Sequence, residues 1–120
     1  MDDWEVKYKI QDRCTWCCFK ISGQHEDLES FRETCLKNDE VDFVHGQLEH
    51  DNTYGLHVQG YMHFKKRLSP QNIKTFFTNY PRHFWGSLKT PKDIEEMRNY
   101  SQKKDTCVEM DFIVLGSYPD

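Results

Sequence analysis

Nothing in this 120-residue chain is apolar for long enough to cross a membrane as a helix, which takes about 20 consecutive residues. The first residues, Met1-Asp2-Asp3-Trp4-Glu5, lack the basic-then-apolar layout of a secretory leader. Five cysteines is an odd number and a poor basis for a disulfide framework, so a reducing intracellular compartment is expected. Zinc fares no better. Cys14-Thr15-Trp16-Cys17 is one C-x-x-C without a second pair, and on an alternating strand its two thiols face opposite sides. The cysteines are therefore read as small core or surface residues. The glycine-rich phosphate loop G-x-x-x-x-G-K-[ST] is also missing, so these residues hold no ATP-driven motor of that kind. No repeat, low-complexity tract or linker divides the chain, and 120 residues suffice for one domain with a real core.

The net charge of −4 argues against nucleic acid only until its distribution is read. Residues 1–59 carry six Lys/Arg against thirteen Asp/Glu, whereas residues 60–104 carry ten against three. In the second stretch Lys65, Lys66, Arg67, Lys74, Arg82, Lys103 and Lys104 are interleaved with Phe64, Phe76, Phe77, Tyr80, Phe84 and Trp85. Cations among aromatics suit a phosphate backbone with unstacked bases; a solvated basic face on an ordinary domain is the plainer alternative.

Alternation at Trp4, Val6, Tyr8 and Ile10 predicts a short strand or extended arm, and 14–21 a firmer strand closed by Ser22-Gly23. Helical spacing of Leu28, Phe31, Cys35 and Leu36 predicts a helix over 24–37. Strands at 41–49 and 55–64 flank a polar turn and form a hairpin. Ser69-Pro70 and Thr90-Pro91 are helix starts with proline at the first helical position. The first opens a helix ended by Pro81, and the second a helix running to about Lys104. Strands at 82–88 and from Val108 to Val114 complete the order β-α-β-β-α-β-α-β. That order suits an α+β fold of ferredoxin-like or RRM-like type: an antiparallel sheet of about five strands, helices mainly on one face, the other face open.

The segment Gly55-Leu56-His57-Val58-Gln59-Gly60-Tyr61-Met62-His63-Phe64 is the most telling. Leu56, Val58, Met62 and Phe64 point to one side, and His57, Gln59, Tyr61 and His63 to the other. Glu49 ends the preceding strand, where antiparallel pairing brings it beside His57 and Gln59. Carboxylate, imidazole and amide oxygen suit Mn²⁺ or Mg²⁺ with positions left for water and a phosphate. Gln47 and His50 compete for the place given to Glu49. Further on, Tyr100 and Lys103 stand three apart near a helix end, where a phenol could act as nucleophile beside a cation. Taken singly, H-x-Q and Y-x-x-K are common accidents.

Together and in this order, they resemble the replication-initiator (Rep) endonuclease domain of circular single-stranded DNA viruses, the circovirus, nanovirus and geminivirus group of the HUH endonucleases. His57-Val58-Gln59-Gly60 resembles the second motif in its circovirus and nanovirus form, and Tyr100-Ser101-Gln102-Lys103 the third. Phe19-Lys20-Ile21-Ser22-Gly23 stands where the first motif carries two asparagines, which are absent here. The resemblance implies that residues 1–120 are a single HUH domain that binds and nicks a replication origin, without the helicase part of a longer protein. It implies Glu49, His57 and Gln59 as ligands of Mn²⁺ or Mg²⁺, Tyr100 as nucleophile and Lys103 as its aid. It implies a single-stranded DNA partner at a viral stem-loop origin, gripped by Lys65, Lys66, Arg67, Lys74, Arg82, Trp85 and Lys104, with Lys20 and Ser22 touching bases. It implies action in the host nucleus, no membrane partner, and a monomeric domain within an oligomeric full-length protein. An RRM-like module that binds single strands without cutting is the rival reading.

Overall fold

The computed structural model describes residues 4–102 and 104–118. Its elements are α1 (Trp4–Lys7), β1 (Cys14–Ser22), α2 (His25–Lys37), β2 (Val41–Asp51), β3 (Gly55–Leu68), α3 (Pro70–Lys74), β4 (Arg82–Ser87), α4 (Pro91–Tyr100) and β5 (Cys107–Leu115). The strands form one antiparallel sheet in the order β4-β1-β3-β2-β5. This is the expected α+β, ferredoxin-like architecture.

Alternation gives the sheet two different faces. On one, Phe19, Ile21, Val44, Val58, Met62 and Phe64 meet Leu28, Phe31 and Cys35 of α2 and Ile73, Phe76 and Phe77 from α3 and the turns after it. Phe19, Phe31 and Phe77 form a ring cluster with centroids 5.1–6.0 Å apart. The second face, expected to be open, is in part covered. Trp4 and Tyr8 at the N-terminus and Met97 of α4 pack there against Cys18, Phe43 and Tyr61.

The segment at 4–10 departs from its expected form for a local reason. Trp4 and Tyr8 are four apart, and a helical turn closed by the Tyr8 amide on the Trp4 carbonyl (2.8 Å) buries both while exposing Val6 and Ile10. Extended backbone would have pointed all four one way. Beneath this turn lies Gly86, where an added Cβ would stand 1.5 Å from the Tyr8 carbonyl oxygen. Gly86→Ala should therefore push the N-terminal turn off the sheet, costing on the order of 1–3 kcal/mol. A red-shifted tryptophan emission, as Trp4 meets water, would accompany the lowered Tm.

Both proline-started helices begin as expected, with the Ser69 and Thr90 hydroxyls accepting from the amides of Asn72 and Asp93. Each is shorter than expected. Regular α3 stops at Lys74 and continues to Tyr80 as turns closed over three residues, while α4 stops at Tyr100. Two strands break their alternation. A register shift between Cys14 and Trp16 puts Cys14 and Cys17 in the same core cluster rather than on opposite faces. Shifts between β2 and β5, with Asp111 at φ 54°, leave Val108, Met110 and Val114 exposed while Phe112 and Ile113 are both buried. The cysteines are free thiols, and burial raises the pKa of Cys14, Cys17, Cys18 and Cys35, the last to about 12. Four are buried packing residues and Cys107 is only partly buried, in line with the expectation of small core or surface residues.

Candidate active site

The hairpin register sets Glu49 directly opposite His57, and Gln47 opposite Gln59, on the second face. Lys20 and Ser22 of β1 flank Gln59 and His57 from the other side. Far from lying open, Glu49, His57 and Gln59 are each 0 % exposed.

Their hydrogen bonds define what they can do. His57 Nδ1 lies 2.9 Å from the Gly55 carbonyl oxygen, which only accepts, so Nδ1 carries a proton. Nε2 then faces Glu49 Oε1 at 3.3 Å and Asp51 Oδ2 at 3.8 Å, without a hydrogen bond among the described residues. A nitrogen lone pair and a carboxylate repel unless a cation stands with them. A divalent cation is one group that would relieve this repulsion. Gln59 Oε1 is likewise buried with no hydrogen-bond partner among the described residues. Its amide nitrogen donates to the Tyr100 carbonyl oxygen at 3.1 Å. Glu49 accepts from Gln47 Nε2 at 2.6 Å and from the Thr106 hydroxyl at 3.0 Å. Gln47 thus supports Glu49, and His50 points to the opposite, exposed side of β2.

Among the described residues no three His, Cys, Asp or Glu side chains are gathered as a metal cage. The trio here contains only two of those types, its third donor being an amide oxygen. An imidazole nitrogen fixed by its other ring nitrogen, a neutral oxygen and a held carboxylate nonetheless form a donor set that fits Mn²⁺ or Mg²⁺.

Tyr100 closes α4 with its ring half-buried against the second-face cluster, and the Gln59 bond ties that helix end to β3. Lys103 lies outside the described residues. A further group, marked by no sequence motif, borders His57. The Tyr54 ring lies 5.6 Å from it, and the Tyr54 hydroxyl donates to Glu5 at 2.8 Å. Burial raises the Tyr54 hydroxyl pKa to about 12. Glu5 also pairs with Lys20 at 2.7 Å, and Lys20 lies 4.3 Å from the Tyr54 ring centre. Burial works against the Asp51 carboxylate, yet the Tyr54 and Thr53 amides and the nearby His57 hold its pKa below the ordinary value.

The residues expected to grip DNA scatter. Lys20 and Ser22 are buried on the second face, Ser22 donating to the Arg82 carbonyl oxygen, and neither offers a surface contact. Trp85 is 3 % exposed and fills the first-face core, so it cannot stack on a base at the surface. Arg82 is exposed beside the site, its guanidinium 4.5 Å from the Tyr54 ring, and Lys104 is exposed two residues before Thr106. Lys65, Lys66 and Arg67 are exposed near the far end of β3, roughly 25–35 Å from His57 at the rise of an extended strand. Lys74 is exposed on α3, which packs on the opposite face.

A protein-family model described as "Putative viral replication protein" matches residues 14–104, from the first strand past the tyrosine of the third motif. The chain belongs to this family of viral replication proteins. No curated protein sequence matches it. The match covers three-quarters of the sequence, including every residue of the buried trio. Membership in a family of viral replication proteins points to DNA binding. No helix among the chain's described residues is long and apolar enough to cross a membrane.

Proposed function

We propose that this viral replication protein is a metal-dependent, single-strand DNA endonuclease and strand-transferase that nicks a replication origin. The observation that carries this reading is the bond from Gln59 to the Tyr100 carbonyl, joining the candidate ligand strand to the end of the helix that bears the candidate nucleophile. Residues 41 positions apart meet there, and both belong to motifs with chemistry in them.

In this mechanism Glu49, His57 and Gln59 hold Mn²⁺ or Mg²⁺, which when bound supplies Lewis-acid charge to a scissile phosphate. The Gly55 carbonyl fixes the His57 tautomer, while Gln47 and Thr106 orient Glu49. The Tyr100 oxygen attacks phosphorus as its proton leaves, displacing a 3′-hydroxyl and forming a 5′-phosphotyrosine bond. Return attack by a 3′-hydroxyl releases the tyrosine and reseals the strand, as the start and finish of rolling-circle replication require. Lys103 aids by charge or proton placement, and Arg82 and Lys104 supply positive charge at the site's border. Because the trio is fully buried, its cover must part before a phosphate reaches it. In the cell this work would fall in the host nucleus, with an oligomeric full-length protein.

One observation favours the rival binding module. Trp16, Phe43 and Tyr61 gather at the far end of the same face, with Trp16 stacked on Tyr61 at 6.0 Å. Phe43 and Tyr61 are buried beneath it, so of these rings Trp16 alone presents a partly exposed one, which serves base stacking with or without cleavage. A covalent-adduct assay separates the two. Protein is mixed with single-stranded oligonucleotides of stem-loop origin type, with Mn²⁺ or EDTA, and run on a denaturing gel. A metal-dependent adduct supports the nuclease, whereas tight metal-independent binding without an adduct supports the module.

A further inference from the structure

Strand β2 continues past Glu49 and ends at Asp51, which stands opposite Gly55 where the hairpin turns. Alternation puts Gln47, Glu49 and Asp51 on the same face, so the strand brings a second carboxylate toward the buried trio.

The two oxygens of Asp51 are differently employed. Oδ1 accepts from the amides of Thr53 at 2.9 Å and Tyr54 at 2.6 Å, which closes the turn and holds the carboxylate in one orientation. Oδ2 makes no hydrogen bond among the described residues and faces His57 Nε2 at 3.8 Å. The same nitrogen has Glu49 Oε1 at 3.3 Å. It is buried without a hydrogen bond among the described residues, as is Gln59 Oε1. Two donors of one small divalent ion, each about 2.0–2.2 Å from it, stand roughly 2.8–3.8 Å apart at octahedral to trigonal angles. Both contacts of Nε2 fall within that range.

Exposure sets Asp51 apart from the trio. The side chains of Glu49 and His57 are 0 % exposed, whereas that of Asp51 is 26 % exposed. A metal site needs an entry path, and Asp51 is the group that meets both water and His57. An ion arriving from solvent reaches its carboxylate first.

We propose that Asp51 Oδ2 is a fourth donor of this site, so that the chain holds its ion with two carboxylates, an imidazole and an amide oxygen. The proposal rests on the reading that Glu49, His57 and Gln59 bind Mn²⁺ or Mg²⁺. Two carboxylates neutralise a divalent ion that Glu49 alone would leave positive. The hold is tighter and the pull on a phosphate oxygen weaker. An octahedral ion then keeps about two positions for water or phosphate instead of about three.

The test uses the whole chain and Mn²⁺ alone, without DNA. Calorimetric titration gives the Kd, and pulsed EPR in ¹⁷O-labelled water counts the waters on the bound ion. Wild-type protein should keep about two waters on Mn²⁺. In Asp51→Asn the Thr53 and Tyr54 amides keep the remaining oxygen on the turn side, so an NH₂ group that no cation binds replaces Oδ2. The variant should bind Mn²⁺ about tenfold more weakly or worse, with about one more water on the ion. Weaker binding with an unchanged water count would make Asp51 a distant charge rather than a donor and overturn the proposal. So would a Kd equal to that of wild type; loss of binding in Glu49→Gln would then leave the three-donor site standing. Should Asp51→Asn fail to fold, the wild-type count decides, since about three waters leaves no room for a fourth protein donor. Wild-type protein that binds no Mn²⁺ would remove the proposal and the metal reading together.

Discussion

Replacing Tyr100 by phenylalanine should abolish the covalent protein–DNA adduct and leave affinity for the strand within about twofold. The hydroxyl is the only atom removed, and the ring can keep its half-buried place against the second-face cluster. The helix stays tied to β3, because Gln59 bonds the Tyr100 backbone oxygen rather than its side chain. An attack that needs this oxygen has no substitute in phenylalanine, so cleavage should fall by about three orders of magnitude or more. A denaturing gel reads the adduct, and anisotropy with EDTA reads binding. An adduct that survived the substitution would move the nucleophile elsewhere. Neither adduct nor cleavage in wild type, with strong binding kept, would leave the protein a binding module.

The second large effect concerns the buried trio and needs no DNA. Mn²⁺ binding only the folded state at 100 times its Kd adds about 2.7 kcal/mol, a Tm rise on the order of 10 °C for a domain of this size. Glu49→Gln should erase most of that rise. The carboxylate is the one anionic ligand of the three, and an amide presents a single oxygen. Without metal the variant should start somewhat lower, because Gln47 and Thr106 both donate to Glu49 and one of them loses its acceptor. That loss is worth about 1–3 kcal/mol. The increment on adding metal, not the starting Tm, is the quantity to compare. An equal increment in both proteins would place the ion elsewhere than between His57 and Glu49.

Much of this molecule was legible from local chemistry. Two-residue alternation located the strands, and Ser69-Pro70 and Thr90-Pro91 marked helix starts whose hydroxyl caps are present. The pairing of Glu49 with His57 followed from antiparallel geometry across a short turn and is the register found. Trp85 could have been read better. Alternation through β4 sets it opposite in face to Arg82 and Phe84, hence toward the first-face core. Glu5, Tyr54 and Thr106 carried no such signal. Each reaches the site from a different segment, and only packing brings them together.

What the sequence alone determined is the set of strands, their faces, and the donor types that stand beside one another on the hairpin. These depend on backbone periodicity and near-neighbour pairing, which a few residues suffice to specify. Tertiary structure decided whether those donors meet water. Covering a face depends on where Trp4, Tyr8 and Met97 come to rest, and burying Lys20 depends on Glu5 finding it from fifteen residues away. It likewise set Asp111 against His45, which meet only once β5 has bulged along β2. Contacts of this kind are fixed by the free energy of the whole packed chain, which no local pattern encodes.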